Sequence, residues 1–140
     1  MDSNMRREII LDNYQEPVNR GLIGDESYLK VNTNSESCID NLDFMVKIED
    51  NVIKDIRFDG EACAISTSAT SIMIQKLIGK TVDEVKNILE NYRNMIYEKN
   101  YDKEILGELV VYDEISKQPN RVNCALLPAV AVERILEKLK

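Results

Sequence analysis

Over residues 42–60 the chain alternates with a period of two, and directly after Gly60 it stops doing so. Leu42, Phe44, Val46 and Ile48 are spaced by Asp43, Met45, Lys47 and Glu49, the pattern of a half-buried strand. The polar turn Glu49-Asp50-Asn51 follows, and VIKDIRFDG alternates again through Ile53, Asp55 and Arg57. Two such runs across a short polar turn predict an antiparallel hairpin. Past Gly60, Ile65, Ala69, Ile72 and Met73 recur at helical spacing. They predict a helix over 64–78 with Gly79 as its C-cap. One switch from period two to period 3.6 requires strands and helices in one structure.

The flanking sequence adds mostly helices. Met5, Ile9, Ile10 and Tyr14 predict a helix over 5–14, ended by Pro17 and Gly21. A short strand is expected around 28–31. Thr81 and Glu84 form a capping box for a helix over 81–98, whose apolar face is Val82, Val85, Ile88, Leu89, Tyr92 and Ile96. A short helix over 105–112 and a loop to Pro119 precede a final helix over 124–139. The expectation is an α+β fold: a small antiparallel sheet of about three strands with helices packed on one face. At 140 residues, without repeat, low-complexity tract or linker, the chain reads as one domain, 1–140.

The net charge of −7 argues against nucleic acid as a partner, because phosphate binding needs clustered Lys and Arg. The N-terminus has no apolar signal core and no run approaches a membrane span, so a cytoplasmic protein with no membrane partner is expected. In a reducing compartment the three cysteines are not expected to form a structural disulfide.

Two motif readings fail on spacing. GKT at 79–81 ends like a phosphate-binding loop, but Ile74 stands where that motif needs glycine, and a helix precedes it instead of a strand. Glu49, Asp50, Asp83 and Glu84 fall on turns or polar helix faces, where solvation explains them. The absence of histidine excludes a Ser-His-Asp triad and a Cys-His pair.

The cysteines carry more. Cys38 lies in a polar loop before the first long strand, Cys63 follows the hairpin at a helix start, and Cys124 opens the last helix. Such boundary positions can converge at one end of a sheet. A helix N-terminus also favours thiolate over thiol. Asp40 offers a fourth ligand beside Cys38. Three thiolates and a carboxylate suit tetrahedral Zn²⁺, or an iron–sulfur cluster with one non-cysteine ligand. No CxxC repeat is present, so two readings stay open at this point: a convergent site, or three small buried hydrophobes.

Several stretches resemble the U-type iron–sulfur cluster assembly family, which comprises NifU N-terminal domains, IscU and SufU. REIILDNYQEPVNRG is similar to the family's opening helix and its Tyr…Pro-x-Asn-x-Gly exit. SCID stands where the family has Cys-Gly-Asp. GEACAISTSATSIM resembles Gly-x-x-Cys-x-Ile-Ser and the small-residue helix after it. RVNCALL resembles the third cysteine with an arginine three residues before it. Asn123 replaces the IscU histidine, and residues 98–119 resemble the SufU insertion, so the likeness is greatest to the SufU branch. The chain departs from the pattern at Ile39 (glycine), at Glu36-Ser37 (Asn-Pro), at Pro128 (aromatic) and at Asn13 (often histidine).

The resemblance implies a SufE/NifU-like fold and metal ligands Cys38, Asp40, Cys63 and Cys124. It implies Zn²⁺ as the metal, with a [2Fe–2S] cluster as the alternative. It further implies Cys38 as the acceptor of persulfide sulfur, with Arg121 as its functional neighbour. The partners expected are a SufS-like cysteine desulfurase and downstream iron–sulfur assembly proteins. Three functions follow: a zinc-bound sulfur acceptor, a scaffold for a [2Fe–2S] cluster, or a zinc-stabilised binding domain without sulfur transfer. The motifs do not decide whether the activity is enzymatic sulfur transfer or non-enzymatic scaffolding.

Overall fold

The computed structural model describes residues 1–34 and 39–139. The order is α1 (Ser3–Gln15), β1 (Leu29–Asn34), β2 (Asn41–Glu49), β3 (Val52–Glu61), α2 (Ala64–Leu77), α3 (Val82–Ile96), α4 (Lys103–Leu106) and α5 (Val122–Glu137), with three short 3₁₀ turns between α4 and α5. The strands form one antiparallel sheet in the order β1-β2-β3. This is the expected α+β architecture.

The hairpin closes through Asp50 and Asn51, both with positive φ (53° and 63°). That geometry suits the right-handed twist of the flanking strands, and Asp and Asn tolerate it better than most residues. The inward row runs Val31, Phe44 and Phe58 across the sheet, with Val46 beside Ile56. Phe44, Val46, Ile56 and Phe58 are buried to within 1 % exposure and belong to the core shared with the helices. Reading alternate residues of β3 from Ile53 leads instead to Asp55 and Arg57, which are only half-buried. The cause is a register shift: Lys47 pairs with Asp55 but Ile48 pairs with Ile53. Lys54 is thus the extra residue of a bulge, which moves the inward row from Ile53 to Ile56 and Phe58.

β3 is not left as a free edge. Gly21 donates its N–H to the Phe58 carbonyl (2.7 Å) and Phe58 donates to Asn19 (3.3 Å). Further along the strand, Ile53 donates to Lys80 (2.9 Å) and Gly79 to Ile53 (2.8 Å). These two segments cover the backbone groups that would otherwise invite strand addition.

α2 is the central helix. It packs against α1, α5 and the first 3₁₀ turn, and residues 66–74 are all buried. Small side chains (Ser66, Ser68, Ala69, Ser71) let its neighbours approach closely. Asn13 of α1 docks here: its side-chain oxygen accepts from the Ser71 hydroxyl (2.7 Å) and the Gln75 amide (2.9 Å). The Ser71 oxygen in turn accepts the Val18 N–H (3.1 Å).

Most expected helices stand with shifted ends. α1 stops at Gln15 because the residue before Pro17 is disfavoured in the α conformation. α2 ends with Ile78 as C-cap, and Gly79 is the next residue, at φ 89°. The capping box of α3 is formed in both directions, Thr81 with Glu84. The single helix expected over 105–112 is instead α4 followed by a 3₁₀ turn, Gly107–Tyr112, because Gly107 takes φ 54° and breaks the run. The expected loop before Pro119 contains a second turn, and α5 starts at Val122, two residues early. The segment still packs: Leu106, Leu109, Val111, Tyr112 and Ile115 are buried. Among the described residues, no helix is long and apolar enough to cross a membrane.

Candidate metal centre

The register of the hairpin sets the site. Asn41 pairs with Glu61 and Leu42 with Gly60, at the sheet end opposite the turn. Gly60 has φ 130°, and a Cβ there would lie 2.2 Å from the Asn41 carbonyl oxygen. Glycine is therefore required for the strands to approach so closely. Asp40 immediately precedes β2 and Cys63 follows β3 by two residues, so the pairing brings them together. Cys63 is the N-cap of α2, and its sulfur accepts the Ser66 N–H (3.4 Å). Its own N–H donates to Asp40 Oδ1 (2.8 Å).

α5 supplies the third group. Cys124 lies in its first turn and is fully buried. One donor atom each from Asp40, Cys63 and Cys124 lies within 4.8 Å of the others, a spacing at which one metal ion could be held. Asp40 is 2 % exposed, whereas Cys63 is half-buried. Both cysteines are free thiols. Burial pushes the Cys124 thiol well above its ordinary range, and hydrogen bonds and charge from Asp40 and Cys63 push the same way. Crowding two thiols and a carboxylate in a buried place disfavours their anions unless a cation joins them. The donor set therefore suits a divalent metal that takes sulfur and oxygen ligands.

Cys38 lies outside the described residues, so nothing here places the fourth expected ligand. Arg121 stands at the N-cap of α5, half-buried, three residues before Cys124. The structure thus brings together Asp40, Cys63 and Cys124 and sets Arg121 on the adjoining turn.

Two neighbours of the site carried no expectation. The Ser66 hydroxyl touches Asp40 Oδ2 and lies 3.1 Å from the Cys124 carbonyl oxygen. Tyr112, from the 3₁₀ turn after α4, meets the Ser68 hydroxyl at 2.5 Å. Burial raises the Tyr112 pKa above the ordinary tyrosine range. Ser66 was visible as the residue three after the helix cap. Tyr112 had no sequence signal, since its partner lies on another helix.

Known families agree with this fold. The model of the NifU-like N-terminal domain matches residues 5–125. The chain belongs to this family. Among its relatives, the zinc-dependent sulfurtransferase SufU of Bacillus subtilis is 32 % identical over 94 % of this chain and 89 % of its own length. The iron–sulfur cluster assembly scaffold protein IscU of Thermotoga maritima is 31 % identical over 96 % and 94 %. A crystal structure from Fervidobacterium islandicum, assigned to iron–sulfur cluster assembly in the SUF system, superposes with a TM-score of 0.82 at 30 % identity, covering 94 % of this chain and 97 % of that one. The family's small sheet and helical layer are those described above.

Proposed function

We propose that this protein is a metal-binding sulfur acceptor in iron–sulfur cluster assembly, with Cys38, Asp40, Cys63 and Cys124 as ligands of Zn²⁺. The observation that carries the reading is the convergence of Asp40, Cys63 and Cys124 donor atoms within 4.8 Å. Family membership and the zinc-dependent sulfurtransferase relative support it. Bound zinc would hold the thiolates deprotonated.

The chain's own residues divide the work. Cys63 and Cys124 are fixed to helices, which suits anchoring. Cys38, two residues before Asp40 in the sequence and expected outside any helix, is the proposed reacting thiol. Its thiolate attacks the outer sulfur of a persulfide on a cysteine desulfurase. The sulfur–sulfur bond of the donor breaks, a new one forms on Cys38, and the donor cysteine leaves as a thiolate. No oxidant is needed. Arg121, three residues before Cys124, is the proposed cation that would stabilise a free Cys38 thiolate. Residues 98–119 are the proposed SufU-type insertion, and downstream assembly proteins are the proposed recipients.

The test is desulfurase turnover with and without this protein. Stimulation is expected, and Cys38→Ala is expected to abolish it. Stimulation that survives Cys38→Ala contradicts the acceptor role. A second reading, a scaffold for a [2Fe–2S] cluster on the same ligands, is favoured by the scaffold relative of similar identity. It predicts iron, sulfide and visible absorbance in the purified protein in place of zinc.

A further inference from the structure

α5 contains a proline well inside it, Pro128. In an α-helix the N–H of residue 128 would donate to the carbonyl of residue 124, and proline has no N–H. The ring also crowds that carbonyl and loosens the turn before it. The buried carbonyls on this turn are met from outside the helix. The Ser66 hydroxyl of α2 lies 3.1 Å from the Cys124 carbonyl oxygen, one of two acceptors that share its single proton, and the Tyr92 hydroxyl of α3 donates to the Ala125 carbonyl (2.6 Å). Ser66 is fully buried, so no solvent competes for its hydroxyl.

The same Ser66 oxygen touches Asp40 Oδ2, while Asp40 Oδ1 accepts the Cys63 N–H at 2.8 Å. Both carboxylate oxygens are thus held from α2. We propose that Ser66 is a positioning residue of the metal centre, bridging the Cys124 carbonyl and the Asp40 carboxylate, and that Pro128 commits it to that bridge. A helix with an alanine at 128 would satisfy the Cys124 carbonyl by itself. With proline there, the carbonyl depends on Ser66, and the serine is held between two elements that carry ligands. This rests on the reading of Asp40 and Cys124 as ligands. A residue that orients a ligand in this way typically changes metal affinity about 10–100-fold.

The experiment is Co²⁺ titration, followed by its visible spectrum, of metal-free full-length wild type, Ser66→Ala, Pro128→Ala and the double variant, with the Tm of each metal-free protein. Ser66→Ala should weaken Co²⁺ binding about 10–100-fold. It should also lower Tm by about 5–10 °C, because two buried acceptors lose the one hydroxyl proton that they share. In the Pro128→Ala background, the restored backbone N–H takes the Cys124 carbonyl, so the loss of Tm on Ser66→Ala should fall to about half. The double variant should therefore regain stability yet still bind Co²⁺ weakly. Affinity that recovers together with Tm would overturn the positioning role. So would an unchanged affinity in Ser66→Ala, or an equal loss of Tm in both backgrounds. Wild type that binds no Co²⁺ would sink the metal-centre reading itself and this inference with it, which separates that failure from the others.

Discussion

Asp40 and Asp55 are both carboxylates at the sheet, and they are built for different ends. Asp55 accepts the Tyr28 hydroxyl (2.6 Å), the Arg57 guanidinium (2.9 Å) and the Asn19 amide (3.3 Å). Burial alone would raise its pKa. The hydrogen bonds from Tyr28 and Arg57 and the Arg57 charge outweigh it and hold the carboxyl below its usual range. This is a finished structure, pinning the segment before β1 onto β3. Asp40 also accepts hydrogen bonds, from the Cys63 N–H and the Ser66 hydroxyl, but it is gathered with two sulfur atoms, groups that share its need for a cation when ionised. A carboxylate paired with a guanidinium stabilises the fold. One held by neutral donors among other metal-ligating atoms at a strand end offers a site.

The largest expected effects separate the two carboxylates directly. Asp40→Ala should weaken metal binding by more than about 100-fold, beyond the effect of a residue that only orients a ligand. Asp55→Ala should leave metal binding unchanged, as measured by the same titration. Stability should show the reverse emphasis: denaturant unfolding of Asp55→Ala should reveal a loss of about 1–3 kcal/mol, because Tyr28 and Arg57 lose their acceptor. If Asp55→Ala impairs metal binding as much as Asp40→Ala, the comparison fails.

A smaller effect lies in the alkaline limb. The hydrogen bond to Asp55 and burial raise Tyr28 to about 12, against an ordinary value of 10.0. A raised folded-state pKa means stability fully present below pH 10 and lost as pH rises toward 12. Tyr28→Phe should flatten that part of the stability–pH curve. Asp55 behaves oppositely: its lowered pKa gives stability that is present above about pH 4 and lost as pH falls below it. The smallest change expected is Asn13→Ala, which removes the oxygen joining α1 to Ser71 and Gln75 and should cost about 1 kcal/mol with no effect on metal.

Much of this was legible in the residues because the signals were local. The alternation of β2, the Asp50-Asn51 turn and the Thr81–Glu84 box depend on neighbours a few residues apart. The bulge at Lys54 was hidden, since it exists only in the pairing of two strands, and so the inward row of β3 was misread past Ile53. Gly107 was visible, but its positive φ within an apolar stretch was not. At the site, Asp40 and Cys63 meet through strand register, and Cys63 announces itself at a helix start. Ser66 and Pro128 were both in plain view. Their connection depends on α5 lying against α2, which no local pattern encodes.

The central claim is that Asp40, Cys63 and Cys124 form a metal centre, and metal content tests it most directly. Protein purified from its own cells without added metal should carry roughly one zinc per chain, lost in Cys124→Ser. Wild type free of both zinc and iron, with Cys63 and Cys124 unreactive toward added Zn²⁺, would contradict it.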